Sequence, residues 1–209
     1  MLFPGRTLLM SVGGLAAAAA LAASPPGSPT APALWAGLVP GQFHVGYEQL
    51  RGNRGPVFAW YPAPAAGPAL RFGDYLDDGE AAGLARFLGS TGIPGSTIDS
   101  LFASPLFAAT DGPALDAPFP IVVVAQGNGE SVIDQVVLCE YLASRGYVVV
   151  TTPSPTRETP LEREDQVGEF AERQADDLAA AVEVVAASLP ADTSTIGVVG
   201  HSFGARAAL

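Results

Sequence analysis

The residues best suited to chemistry form the sequence GHSFG at positions 200–204, directly after the short apolar run Thr195–Val199. A serine with this glycine spacing, placed after a strand, is typical of a nucleophile on a sharp strand-to-helix turn. A hydroxyl attacks a carbonyl only when a base takes its proton and nearby donors stabilise the oxyanion. The pattern therefore predicts that Ser202 is the nucleophile of an acyl-transfer reaction, with the Phe203 N–H as one oxyanion donor.

A second oxyanion donor is expected from the glycine-rich turn AQGNGES at positions 125–131, which follows an earlier apolar run. Its glycines would let backbone N–H groups face the pocket, as the loop that supplies the second donor requires. We assign this role to the N–H of Asn128, with Gln126 or Gly127 nearby. The alternative is an ordinary glycine-rich turn between a strand and a helix.

The base and the acid are not evident near Ser202. Residues that flank a serine in this turn point away from the pocket, so His201 is expected to be packed or supporting, and His44 to be structural. In enzymes with this turn the acid and then the histidine follow the serine along the chain. Only seven residues follow Ser202, and none is Asp, Glu or His. We therefore expect the proton-transfer pair beyond Leu209.

Metal and cofactor chemistry are not indicated. The single cysteine, Cys139, falls in a predicted helix and is expected to be a small buried apolar residue. The sequence has no C-x-x-C or histidine-rich pattern. We therefore expect no metal site and no cofactor.

The elements that must position Ser202 alternate regularly from residue 119 onward. The continuous β-branched runs predict buried strands, and the apolar residues at helical spacing predict helices that end at Gly146 and Pro190. The strands are expected at residues 121–125, 147–151 and 196–199, and the helices at 130–145 and 165–189. This order predicts an α/β fold with a mostly parallel sheet, flanking helices and right-handed crossovers.

The residues before 119 give weaker signals. Two strand-like runs, 43–47 and 56–61, predict a hairpin at a sheet edge, and 78–88 predicts a short helix. Residues 89–118 are rich in Gly, Pro, Ser and Thr and are expected to be mostly loop. The acidic stretch 158–177 is interpreted as the solvent-exposed face of a helix and the loop that leads to it.

Composition fits one domain of 209 residues, and the formal net charge of −11 argues against binding nucleic acid or anionic lipid. Arg6, the apolar stretch Leu8–Leu21 and a small-residue site ending at Ala22 predict a signal peptide over residues 1–22. A flexible leader is expected over 23–41, and the N-terminal, incomplete portion of the catalytic domain over 42–209. These features predict a secreted or periplasmic protein with no stable membrane span after cleavage, and an uncleaved anchor is the alternative.

Four segments resemble secreted esterases of the α/β-hydrolase superfamily. They are AWYPA at 59–63, FPIVVVAQGNG at 119–129, LASRGYVV at 142–149 and GHSFGA at 200–205. They are similar to segments of platelet-activating-factor acetylhydrolase-like and dienelactone-hydrolase-like enzymes. The sequence departs from that pattern at Gln126, where the family has histidine, and at Ala205, where it has glycine.

The resemblance implies an α/β-hydrolase fold that is truncated after the nucleophile elbow, and a calcium-independent carboxylic-ester hydrolase acting on short acyl groups. Acetyl esters of glycerophospholipids are one implied substrate class, and small or polymeric esters are another. Ser202 matches the family's nucleophile, and Asn128 and Phe203 match its oxyanion donors. The alternative is a non-catalytic fragment or a ligand-binding pseudo-hydrolase that lacks the triad acid and histidine.

Cleavage of the signal predicts that exported protein begins at Ala23. N-terminal sequencing or intact mass of the exported protein tests this prediction. Replacing Ala22→Phe should block cleavage, because signal cleavage requires a small residue there. Exported protein that still carries Met1 would contradict it.

Overall fold

The computed structural model describes residues 30–65, 67–110 and 112–209, and a seven-stranded sheet organises them. The order of strands across the sheet is β3-β4-β1-β2-β6-β5-β7, where the strands are β1 (His44–Gly52), β2 (Gly55–Ala63), β3 (Ala69–Arg71), β4 (Pro105–Thr110), β5 (Phe119–Ala125), β6 (Val148–Thr151) and β7 (Ala191–Gly200).

Five strands run in one direction and only β2 and β3 run against them, so the sheet is mostly parallel as predicted. Helices connect and flank the strands: α1 (Asp78–Ser90), α2 (Gly95–Phe102), α3 (Val136–Ser144), α4 (Val167–Ser188) and α5 (Gly204–Ala207). Short 3-10 helices lie at Ala33–Trp35, Phe72–Tyr75, Val132–Gln135 and Glu164–Gln166.

The core has two layers, one on each face of the sheet. Val122 and Val124 of β5 pack on the side of α3, in the cluster that contains Cys139. Ile121 and Val123 pack on the opposite side, among residues of α4. Because both faces of β5 are covered, the strand can be apolar at every position. Cys139 is fully buried as predicted, and burial raises the pKa of its thiol.

The domain begins earlier than residue 42, the predicted boundary. Trp35 has no exposed surface, and its indole N–H donates to the Glu140 carboxylate at 3.0 Å. The Gly41 N–H donates to Ser144 Oγ at the end of α3. The later part of the predicted leader therefore packs on the domain. Burying the large apolar indole of Trp35 is favourable and outweighs the freedom that a flexible linker would keep. The predicted signal peptide and residues 23–29 lie outside the described residues.

The predicted edge hairpin and the predicted loop differ from the structure. The β1–β2 hairpin lies inside the sheet, because β4 pairs with β1 and β3 pairs with β4. Residues 89–118 contain α2 and β4, which turn-forming composition alone did not indicate. Contacts with distant parts of the chain stabilise these two elements: Ile98 of α2 is buried, and β4 pairs in parallel with β1.

β7 forms where the sequence predicts a strand, but it is not buried. Ile196, Val198 and Val199 expose 46%, 50% and 41% of their surface. The strand lies at the edge of the sheet and pairs only with β5 among the described strands. A β-branched run predicts a strand from its own residues, whereas burial depends on neighbours on both sides.

No helix in the described part of the chain is long and apolar enough to cross a membrane. The longest, α4, packs one face on the sheet through residues such as Leu178 and Val185. Asp176 and Asp177 of the same helix pair with Arg54 of the β1–β2 turn, and not with Arg173, although the spacing of Arg173 along the helix allowed such a pair.

Glu140 ties several elements together from the interior. Its carboxylate accepts hydrogen bonds from the Trp35 indole, the Tyr75 hydroxyl and the backbone N–H groups of Phe107 and Ala108. The residue is fully buried, and burial raises its pKa although the hydrogen bonds oppose that shift. One side chain thus joins α3 to the N-terminal segment, the Phe72–Tyr75 turn and β4.

Replacing Glu140→Gln should lower the free energy of unfolding by about 3 kcal/mol, because the amide brings two N–H hydrogens among groups that mostly donate, whereas a protonated carboxyl brings one, which the Tyr75 hydroxyl can accept. The raised folded-state pKa means that the stability linked to Glu140 is fully present below the ordinary carboxyl pKa. It is lost as the pH rises through the raised value. The difference in free energy of unfolding between the original chain and the Glu140→Gln variant should therefore narrow with rising pH.

Urea unfolding at several pH values measures this difference, with Glu183→Gln on the exposed side of α4 as the control. Equal stability of the Glu140→Gln and Glu183→Gln chains would show that the carboxylate does not hold these elements together.

Candidate active site

Ser202 has a left-handed backbone conformation, with φ of +50°. Apart from Ala36, it is the only non-glycine residue with positive φ in the described part of the chain. This conformation costs on the order of 1 kcal/mol for a residue with a side chain, so the surrounding structure must hold it. The turn places Ser202, exposed, between the end of β7 and the start of α5, as the GHSFG pattern predicts.

The two glycines of the turn allow a contact that any side chain would prevent. A Cβ on Gly204 would lie 2.6 Å from the carbonyl carbon of Ala125 and 2.7 Å from the Gln126 oxygen. A Cβ on Gly200 would lie 2.5 Å from the Gly204 oxygen. The His201 N–H also donates to the Ala125 oxygen at 3.1 Å. The turn is thereby pressed against the end of β5.

The loop after β5 is held from below by Gln126. This residue is fully buried; its amide donates to Thr151 Oγ1 at 3.0 Å, and its backbone oxygen accepts from Gln174 Nε2 at 2.9 Å. The position at which the resembling family has histidine is therefore filled by a residue with its own supports on β6 and α4.

The same loop is held from the side by the segment after β6. The Gly129 N–H donates to Thr156 Oγ1 at 2.7 Å, and the Glu130 oxygen accepts from the Ser154 N–H at 3.1 Å. Thr156 in turn exchanges a hydrogen bond with Ser154 Oγ. The backbone on both sides of Asn128 is thus fixed.

The two predicted oxyanion donors remain open. In the described part of the chain neither the Asn128 N–H nor the Phe203 N–H donates to another group. Asn128 lies in the exposed part of the loop, whereas the Phe203 side chain is buried beside Phe170 of α4. The assignment of these two donors remains a prediction, and the geometry leaves both free to donate to a ligand oxygen.

His201 is not packed in the interior, which was one expectation for it. Its side chain is 54% exposed, and its Nδ1 lies 2.6 Å from Glu130 Oε1. The other Glu130 oxygen accepts the Gly127 N–H at 2.6 Å. Sequence patterns did not reveal Glu130, although the spacing from Gly127 to Glu130 matches a carboxylate that reaches back three residues to a backbone N–H.

His44 is too distant to serve Ser202. His44 lies at the start of β1. Across the sheet, the residue of β1 that is level with the end of β7 is Gln49, which pairs with Phe58 of β2 and through it with Thr151 of β6. His44 lies five residues before Gln49. At the usual rise per residue this is about 16 Å along the strand, and four strand spacings to β7 add about 19 Å sideways. The prediction that His44 has no catalytic role agrees with this placement.

Two cavities lie in the described part of the chain, and none of Ser202, Phe203 and Asn128 lines either of them. One, of about 820 Å³, lies between the β1–β2 turn and the segment after β6; it includes Tyr47, whose pKa is raised by burial and by the negative charge of Glu80. The other, of about 750 Å³, lies between α1 and the residues that follow the Asn128 loop. Its walls are mixed: the apolar residues are Phe72, Leu76, Leu84, Leu88, Leu101 and Ile133, and Asp77, Glu80, Asp134 and Arg157 line it beside them.

The sequence matches no protein-family model and no curated protein. Among solved structures it resembles a ferulic acid esterase from Streptomyces cinnamoneus, at 23% identity and a TM-score of 0.59 over 79% of this chain and 54% of that one. It thus spans about half the length of that esterase.

Two further solved structures resemble the chain more distantly. A dienelactone hydrolase, described as putative, from Klebsiella pneumoniae is 17% identical, with a TM-score of 0.39 over 77% of this chain and 50% of that one. An esterase from Pyrobaculum calidifontis is 21% identical, with a TM-score of 0.33 over 78% of this chain and 37% of that one. The sheet, its flanking helices and the first likeness define the α/β-hydrolase fold.

Replacing Gly204→Ala should lower the free energy of unfolding by at least about 2 kcal/mol, because the new Cβ would overlap the backbone of β5. Gly197→Ala, on β7 with nothing within 4 Å of the added Cβ, is the matched control and should have a much smaller effect. Thermal or urea unfolding of the two variants measures the loss of stability in each. Similar stability would mean that the turn is not pressed on β5.

Proposed function

We propose that this chain carries the nucleophile half of a serine carboxylic-ester hydrolase. The observation that supports this most is the combination of Ser202 in a strained left-handed turn with two open N–H groups, on Asn128 and Phe203. Strained backbone at an exposed hydroxyl is expected where the geometry is used for function. Two unpaired donors near such a hydroxyl are what a developing oxyanion needs.

The proposed reaction has two steps. Ser202 Oγ attacks the ester carbonyl carbon, the carbonyl oxygen becomes an oxyanion, and the alcohol leaves as the acyl-enzyme forms. Water then attacks the acyl-enzyme, releases the carboxylic acid and restores the hydroxyl. In both steps the N–H groups of Asn128 and Phe203 stabilise the oxyanion.

The base and acid for these proton transfers are proposed to come from polypeptide outside these 209 residues. Among the described residues, His44 is remote and His201 pairs through Nδ1 with Glu130. The 209-residue chain alone is therefore expected to show negligible turnover of p-nitrophenyl acetate. The same observation favours the second candidate, a ligand-binding pseudo-hydrolase or non-catalytic fragment.

The proposed substrates are short-acyl esters, with acetyl esters of glycerophospholipids as one class and small or polymeric esters as another. The resemblance of the GHSFGA and AQGNG segments to acetylhydrolase-like enzymes motivates this choice. The leucine-rich part of the mixed cavity of about 750 Å³, which includes Ser131 at the end of the Asn128 loop, offers space for an apolar part of such a substrate. We also propose export to the periplasm or the medium, because of the signal-like residues 1–22.

Ser202→Ala should abolish labelling by a fluorophosphonate and reduce ester turnover by at least about a thousandfold in the protein that contains the proton-transfer pair. Ser96→Ala, an exposed serine of α2, is the control and should label and turn over normally. In-gel fluorescence and p-nitrophenyl acetate hydrolysis measure the two effects. Labelling that persists in Ser202→Ala would overturn the esterase proposal in favour of the non-catalytic alternative.

A further inference from the structure

The carboxylate of Glu130 joins the two segments that carry the proposed oxyanion donors. One oxygen accepts the Gly127 N–H at 2.6 Å, directly before Asn128. The other contacts His201 Nδ1 at 2.6 Å, directly before Ser202. The side chain of Glu130 is 19% exposed, so these contacts are only partly open to water.

We propose that Glu130 is a positioning residue that, together with His201, sets the separation of the Asn128 and Phe203 N–H groups. This inference rests on the proposed esterase function and adds two residues to it. Neither side chain touches the reacting atoms; each acts through the backbone of the residue beside it.

Backbone contacts hold only the start of the loop to the turn, through the His201 N–H on the Ala125 oxygen and the close approach of Gly204 to Gln126. Gln126 fixes the start of the loop to β6 and α4, and Gly129 fixes its end to Thr156. These contacts hold the loop to the sheet and to the segment after β6. Among the side-chain contacts of the described residues, the Glu130–His201 contact is the one that joins the loop to the turn carrying Ser202.

Gly127 is adapted to this contact. A Cβ at that position would lie 2.7 Å from Glu130 Cδ and 2.8 Å from both carboxylate oxygens. The carboxylate could not then approach the Gly127 N–H at 2.6 Å, although a flexible side chain could move away without disturbing the fold. Gly127→Ala therefore offers a way to displace the carboxylate without removing it.

The contact also orients the ring of His201. A carboxylate oxygen only accepts hydrogen bonds, so the 2.6 Å contact suits a proton on Nδ1. The ring is held by this contact, and the backbone of the same residue is held by its N–H, which donates to the Ala125 oxygen. Both ends of the Glu130 bridge are thus anchored.

The expected consequence lies in the transition state and not in substrate binding. Two donors stabilise an oxyanion only when both are within hydrogen-bond distance of it, whereas the ground-state ester depends on them less. Loosening the bridge should therefore lower kcat and leave KM nearly unchanged. It should weaken inhibition by a boronic acid, which forms a tetrahedral adduct on the serine.

The first arm of the test uses this 209-residue chain and needs no activity. The amide proton of Gly127 should resonate far downfield and exchange slowly, because it donates to a carboxylate at short distance. Glu130→Ala and Gly127→Ala should each remove that character from the backbone amide at position 127. Glu162→Gln, an exposed carboxylate after β6, should not. An unchanged amide in Glu130→Ala would overturn the inference.

The second arm uses the protein with its proton-transfer pair. Glu130→Ala should lower kcat by about 10- to 100-fold with KM within about twofold, and Glu130→Gln should recover much of the loss because its amide oxygen can still accept from Gly127. An effect of Glu130→Ala confined to KM, or a kcat of Glu130→Gln above that of the original chain, would contradict a positioning role. Thermal unfolding of each variant identifies a loss caused by misfolding; if Glu130→Ala misfolds, Gly127→Ala and Glu130→Gln carry the test.

The two proposals fail in different ways. If Ser202→Ala still turns over the ester, the esterase function fails whatever Glu130 does. If Ser202→Ala is inactive but Glu130→Ala is fully active, the function stands and the positioning role of Glu130 is wrong.

Discussion

The arrangement of the site depends on one close approach, that of Gly204 to the end of β5. The absence of a Cβ at this position lets the first turn of α5 contact the Ala125 carbonyl and the Gln126 oxygen. This contact, with the hydrogen bond from the His201 N–H to Ala125, directs the chain back sharply after β7. The left-handed conformation of Ser202 is the result, and the strain is offset by packing of Phe203 against α4. The same contact brings the turn beside the loop that carries Asn128.

The position of β5 is in turn secured by layers on both faces and by strands on both sides. β6 and β7 pair with it in parallel, and α3 and α4 cover its faces. Glu140 on α3 extends this support outward, because it accepts hydrogen bonds from the N-terminal segment and from β4. Burying a carboxylate costs free energy, and the hydrogen bonds from several donors offset that cost. Because two of these donors are the backbone N–H groups of Phe107 and Ala108, the same hydrogen bonds hold β4 in place.

Local sequence was sufficient where an element depends on its own residues. The β-branched run of β5, the apolar stripe of α4 and the GHSFG turn are each recognisable within a short window, and Ser202, Asn128 and Phe203 were predicted as site residues in this way. Local sequence was insufficient where residues far apart in the chain determine whether an element forms or is buried. β4 was missed because it contains proline and alanine and is held by β1 and Glu140. The burial of β7 was overestimated because it depends on neighbours, and Glu130 was missed because its partner His201 comes near only once the turn has formed.

We propose that Ser202 and the backbone N–H groups of Asn128 and Phe203 form one oxyanion site. The most direct measurement is a crystal structure of the phosphonylated protein, prepared with its proton-transfer pair present. We expect a bond from phosphorus to Ser202 Oγ, with the phosphonyl oxygen about 2.7–3.1 Å from both the Asn128 and the Phe203 nitrogen. A phosphonyl oxygen that contacts neither nitrogen, or an adduct on another residue, would contradict it.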